Sequence, residues 1–156
     1  MYNIFRKRVG TYGSFLLACY NEETEVYETI TMTGAGLKDE HLKRFYEILK
    51  ENIRETPRKD YKLGDVDVDV WFEPKLVWEI KTADLSMSPV YTAAMNEGNE
   101  KRGISLRFPR FIRERIDKLP HECTTSKEVY KMYLNQTINS NKNSNNIDFQ
   151  CDEFYD

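Results

Sequence analysis

The chain alternates between two rhythms of apolar and polar positions, and each change of rhythm marks an element. "GSFLLACY", the polar break "NEET" and the partly alternating "EVYETITM" predict a β-hairpin. After "TGAG" the spacing lengthens. Leu37, Leu42, Phe45, Tyr46, Ile48 and Leu49 fall mostly three or four residues apart, which predicts a helix ended near Pro57. Period two then returns in "DVDVDVWF", with Val66, Val68 and Val70 on one face and Asp65, Asp67 and Asp69 on the other, the cleanest strand pattern in the sequence. "LVWEIKTADLS" predicts a further strand with Leu76, Trp78 and Ile80 on one side. In "GISLRFPRFIRERIDK", Ile104, Leu106 and Phe108 alternate until Pro109 interrupts. Arg113, Arg115 and Asp117 then share one side of a renewed extended stretch. Thr125-x-x-Glu128 has the form of a capping box opening a short helix to about Leu134.

The order strand, strand, helix, strand, strand, strand predicts an all-β class, a five-stranded Greek-key barrel with a helix over one opening. The predicted boundaries are a barrel over residues 1–124, a C-terminal helix over 125–136 and a polar, acidic, unstructured tail over 137–156. At 156 residues one domain with a sizeable core is expected, and 13% aromatic content fits a packed globule.

Net charge is −3, but it is unevenly placed. Lys101–Lys118 holds seven bases and two acids, and Ile147–Asp156 holds four acids and no base. In sequence the seven bases have only Glu114 and Asp117 beside them, so a polyanion is the expected counterpart. Arginine's planar fork suits phosphate oxygens. The alternative is a solvated strand face paired with other acids. Phe108 has two readings as well: a core residue, which its spacing favours, or a wedge for a nucleic-acid groove.

Three cysteines in no paired spacing argue against a disulfide framework or zinc site and for a reducing compartment. No apolar run is long enough to span a bilayer and no secretory leader is visible, so the chain reads as intracellular, soluble and not a membrane partner. Asp65, Asp67 and Asp69 stand about 7 Å apart in an extended strand and read as a solvated face rather than a metal site. His41 and His121 read as surface residues. No hydrolase or NTPase motif is present.

"WEIKTADLSMSPVY" followed by "KRGISLRFPRFIRERIDK" resembles the C-terminal part of eukaryotic ATP-dependent DNA ligases of the ligase I type, the second stretch matching their nucleotidyltransferase motif VI. "KRVGTYGSFLLACY" and "TGAGLKDEHLKRFYEILKE" extend the likeness from about Tyr2 to Gln136. The resemblance implies an OB-fold and a part in sealing nicks in duplex DNA during replication, repair and recombination. It implies ATP and Mg2+ as cofactors, bound mainly by an adenylation domain that would precede Met1 together with most of the first barrel strand. No K-x-D-G motif occurs, so the nucleophilic lysine is absent and the chain alone is expected to be inactive. By the same resemblance Arg115, Asp117 and Lys118 face ATP phosphates, while Lys7, Arg8, Arg107, Phe108 and Arg110 meet DNA. Met32 stands where the family often has a base. Nicked duplex DNA, the adenylation domain and, through a more N-terminal region, a sliding clamp are the implied partners of a nuclear monomer. The rival readings are a free-standing OB module for single-stranded nucleic acid and the equivalent domain of an mRNA capping enzyme.

Overall fold

The computed structural model describes residues 5–8, 11–98 and 101–152, with side chains described over 12–98 and 101–141. The expected hairpin forms from β2 (Thr11–Asn21) and β3 (Val26–Thr33), joined through a turn in which Asn21 Oδ1 accepts from the backbone N–H groups of Glu23 and Thr24. β1 (Phe5–Arg8) pairs with the other edge of β2, and β5 (Tyr61–Lys62) runs parallel to the start of β3, giving the order β1-β2-β3-β5. Helix α1 (Asp39–Lys50) lies within the predicted span. Its first turn is closed by Lys38 N–H donating to His41 Nδ1 at 3.1 Å, and the His41 ring packs 5.0 Å from that of Phe111. His41 is therefore half-buried and structural.

The Asp/Val run is not a strand. Its only strand is Trp71–Phe72, β6, paired with the two-residue β4 (Ile53–Arg54), and Val70 makes an isolated bridge. Over 65–70 the side chains still alternate, valines half-buried and aspartates exposed, but the backbone of 65–69 makes no ladder among the described residues. Period two reports which side faces the core; it does not supply a partner.

The expected single strand 76–86 is two, β7 (Trp78–Lys81) and β8 (Asp84–Ser88), and the basic segment is likewise two, β9 (Gly103–Arg107) and β10 (Arg110–Glu114). β8 pairs with β9 and β7 with β10, both antiparallel. β10 ends at Glu114 after a bulge between Phe111 and Arg113, so Asp117 sits in a turn and not on an extended face with Arg113. The segment after β8 ties β9 to β3: Thr92 and Ala93 N–H both donate to Thr29 O, and Ile104 N–H donates to Ala93 O. The result is a β-rich OB-fold, its ladder divided into ten strands among the described residues.

One core lies inside this arrangement. Trp78 is the hub, with ring centroids of Phe15 and Phe45 at 4.7 Å and Phe111 at 5.0 Å, so β2, α1 and β10 converge on β7. All four residues are buried, and each such aromatic pair adds about 0.5–1.5 kcal/mol beyond area burial.

Helix α2 opens at the predicted capping box: Thr125 N–H donates to Glu128 Oε2 at 2.7 Å and Glu128 N–H to Thr125 Oγ1 at 3.2 Å. It spans Ser126–Asp152, well past the expected end at Gln136 and into the segment read as an unstructured tail. Thr137 and Ser140 donate to carbonyls four residues earlier, which satisfies their hydroxyls within the helix without itself favouring it. The remainder of that tail, from residue 153, falls outside the described residues.

The first turn of α2 is held by a carboxylate in the core. Glu28, 1% exposed, accepts from the Ser126 hydroxyl and, at 3.1 Å, from Ala94 N–H; Asn21 Nδ2 and Lys62 Nζ lie 3.5 and 3.9 Å from its other oxygen. Glu28→Ala would strand these buried donors and is expected to cost about 3 kcal/mol or more of unfolding free energy. Urea denaturation checks this; a loss under about 1 kcal/mol would show that the network is not what fixes α2 to the sheet.

Candidate DNA and nucleotide interface

The two strand pairs β7/β10 and β8/β9 share one register. Asp84 faces Arg107 and Lys81 faces Arg110, so two residues intervene on each chain and the ladder breaks at Thr82–Ala83 against Phe108–Pro109. Proline explains half the break, because it has no N–H to donate. Phe108 explains the rest. Its φ is +52°, a left-handed conformation uncommon for a bulky residue and costing on the order of 1–3 kcal/mol. The flip reverses the alternation that buries Ile104 (0% exposed) and Leu106 (8%), and leaves Phe108 75% exposed. The core placement that its spacing favours is thus overturned.

Polar contacts hold this break open. The Arg107 carbonyl accepts from Ala83 N–H at 3.0 Å and from the Thr82 hydroxyl at 2.7 Å. The Pro109 carbonyl accepts from Thr33 Oγ1 at 3.0 Å, and Phe111 N–H donates to Ala35 O at 2.9 Å. The Arg107 guanidinium lies 5.3 Å over the Phe108 ring and pairs with Asp84 Oδ2 at 2.9 Å. Arg110, exposed, flanks the other side. Sequence reading missed Thr82, Asp84 and Thr33; the signal available was the run Lys81-Thr82-Ala83-Asp84, which has no apolar alternation in the middle of an otherwise alternating stretch.

At the far end of β10 lies the second group. Arg115 donates through Nε and Nη2 to the two oxygens of Asp117, at 2.9 and 2.8 Å, and its backbone N–H donates to Val77 O at 2.7 Å. The bidentate fork leaves Nη1 for another acceptor. Lys118, its Nζ 3.5 Å from Glu122 O, lines with Arg115 a cleft of about 150 Å³ that Val77, Glu79, Ile80 and Thr124 also border. The Arg115 fork holds the Asp117 carboxyl down at about 2 and raises the Arg115 guanidinium above its ordinary value. The structure brings Arg115, Asp117 and Lys118 together at this turn, and Arg107, Phe108 and Arg110 together at the break. Lys7 and Arg8 lie on β1, with side chains outside the described residues.

Folding also corrects the local charge balance. Asp84 and Glu79 come in from the facing strand, so Arg107 and Arg113 are ion-paired, Arg113 Nε lying 2.6 Å from Glu79 Oε2. Glu114 is taken by Arg44 of α1 in a two-point contact at 3.0 and 3.3 Å. Lys101, Arg102, Arg110 and Lys118 keep no carboxylate partner among the described residues.

Residues 8–118 match the family model described as ATP dependent DNA ligase C terminal region. The chain belongs to that family. Relatives of this ligase region include "DNA ligase 1" of Dictyostelium discoideum, 50% identical over 135 residues that make up 86% of this chain and 11% of the relative. The Schizosaccharomyces pombe "DNA ligase 1" is 48% identical over 87% of the chain and 18% of its own length, and that of Drosophila melanogaster 44% over 96% and 20%. The chain thus spans about a fifth or less of the curated relatives it matches.

The Arg115–Asp117 fork gives the ligase region a measurable signature. A carboxyl whose folded value is depressed below its unfolded one stabilises the fold above that unfolded value, and the contribution fades as pH falls toward the folded one. Side-chain carboxyl NMR is expected to show Asp117 titrating at about 2, and Arg115→Ala should return it toward the ordinary carboxylate range. An unshifted Asp117 in the unaltered chain would mean the fork is absent in solution.

Proposed function

We propose that the chain is the OB-fold part of an ATP-dependent DNA ligase that completes the ATP site in one orientation and holds nicked duplex DNA in another. One observation carries the reading: β10 is flanked by two cationic groups of different design, an exposed aromatic wedge between arginines at one end and an Arg–Asp–Lys turn beside a cleft at the other. In adenylation a lysine on a separate domain attacks ATP and pyrophosphate leaves. Arg115, aimed by Asp117, and Lys118 would stabilise the charge that gathers on the departing phosphates. AMP then passes to the 5′ phosphate of the nick, and the 3′ hydroxyl displaces it. In those steps Phe108 would enter the minor groove beside the nick, with Arg107, Arg110, Lys7 and Arg8 against the backbone.

Mg2+ would accompany ATP on the adenylation domain. Among the described residues no three His, Cys, Asp or Glu side chains converge to hold a metal. The partners in this reading are that domain, nicked duplex DNA and, through a region more N-terminal than this chain, a sliding clamp. The setting is nuclear replication, repair and recombination, with the protein acting as a monomer. Relatives named DNA ligase 1 in several eukaryotes support it.

The test joins this chain to the remainder of the Dictyostelium discoideum ligase and measures each half-reaction. Arg115→Ala with Lys118→Ala is expected to slow self-adenylylation on the order of 10²-fold while sparing closure of a nick that already carries AMP. Phe108→Ala should do the reverse. Equal losses in both half-reactions for both variants would mean that the segment only holds the fold together. Tighter binding of the isolated chain to single strands than to duplex would favour a single-strand module instead.

A further inference from the structure

Asp84 has a feature that stability does not account for. Its Oδ2 pairs with the exposed Arg107 guanidinium, while Oδ1 is shut off from solvent and has no hydrogen-bond partner among the described residues. Burying one carboxylate oxygen unpaired costs free energy, and an ion pair of this exposure returns little. A serine or asparagine there would avoid the charged half of that cost. What the carboxylate does is hold one particular cation in one particular place. Arg107 is kept 5.3 Å over the Phe108 ring, at the break where Thr82 and Ala83 fix its carbonyl.

We infer that Asp84 is a specificity-determining residue of the DNA face: by pairing Arg107 it keeps the guanidinium on the Phe108 ring and withholds it from backbone phosphates, so that grip depends on entry of the ring. This rests on the reading in which Arg107 and Phe108 meet DNA. A free arginine takes any phosphate, which is sequence- and structure-blind. A ring wedge must unstack a base step, which costs more in an intact duplex than where one backbone is interrupted. With the arginine restrained and the ring presented, binding favours the nick over the far more abundant continuous duplex.

The experiment measures equilibrium binding of the 156-residue chain to intact and to nicked duplexes over a range of salt, for the unaltered chain, Asp84→Asn, Arg107→Ala, the double variant of these two, and Phe108→Ala. Releasing Arg107 should add about one phosphate contact, steepening the slope of log affinity against log salt on intact duplex by about 0.9. The nicked-to-intact affinity ratio should fall several-fold, and the melting temperature should hold or rise. In the Arg107→Ala background, Asp84→Asn should change neither slope nor ratio. Asp84→Ser provides the same readouts should the amide fold poorly. An unchanged slope and ratio, or an effect that persists without Arg107, overturns the inference. So does weaker binding to both duplexes with a lowered melting temperature, which would mark Asp84 as a structural residue. If Arg107→Ala and Phe108→Ala leave DNA binding untouched, the DNA face itself is misassigned; if they weaken it while Asp84→Asn shifts nothing, only the role of Asp84 falls.

Discussion

Phe111 is the fixed point on which the functional segment turns. Its ring is 3% exposed and wedged between Trp78, Phe45 and His41, and its backbone N–H is tied to Ala35 O. Gly36, at φ +86°, brings its backbone so close to the Phe111 carbonyl that a Cβ would lie 2.4 Å from the oxygen. An aromatic residue clamped from three sides cannot slide along the ladder, because a one-residue slip would put it in water. Everything on β10 is therefore indexed from it. Three residues before it Phe108 is thrown outward, and four residues after it Arg115 hangs its N–H on Val77 O and turns over the cleft. One buried contact sets the separation between the wedge and the Arg–Asp–Lys turn.

The break before Phe111 trades regularity for presentation. A strand that kept alternating through residues 104–111 would bury the Phe108 ring and leave no aromatic surface beside Arg107 and Arg110. The left-handed φ costs free energy, and the surroundings over-determine it: four hydrogen bonds from Thr82, Ala83, Thr33 and Phe111 fix the backbone on both sides. Strain of this kind clusters at functional sites, which supports the wedge role proposed for Phe108. The opposite strand breaks at the same level, so the register survives and the kink stays local.

How far the sequence reveals this differs by residue. The hairpin, helix α1 and the capping box at Thr125–Glu128 are legible because each is set by neighbours in sequence: turn residues, an apolar stripe, reciprocal side-chain and backbone bonds. The run from Asp65 to Val70 misleads because alternation measures facing and not pairing. The flip at Phe108 has a local mark in Pro109, yet its direction is decided by Thr82 and Thr33, which are distant in sequence. Glu28 is the least legible. A glutamate between tyrosine and threonine reads as solvent-facing, and only the arrival of Ser126 and Ala94 makes it a core acceptor. The grouping of Arg115, Asp117 and Lys118 was readable from resemblance, while the cleft beside them needed Val77 and Thr124 brought in from elsewhere.

The charge of the basic segment also changes meaning on folding. In sequence it is a block of seven bases against two acids; in the fold, Asp84, Glu79 and Asp117 each hold an arginine at hydrogen-bond distance. These pairs are largely exposed, and exposed pairs contribute at most about 1 kcal/mol each. They do not hold the domain together. They do orient long side chains that would otherwise sample many rotamers, at a cost of up to about 2 kcal/mol each when finally fixed. In the proposed reading, a phosphate reaching Arg115 would meet a guanidinium already aimed by Asp117, whereas Arg107 would stay with Asp84 and on the Phe108 ring. The same kind of exposed pair would thus serve two ends, aiming one arginine at an incoming anion and restraining the other, and which end is served depends on what stands beside the pair: a cleft at Arg115, an exposed ring at Arg107.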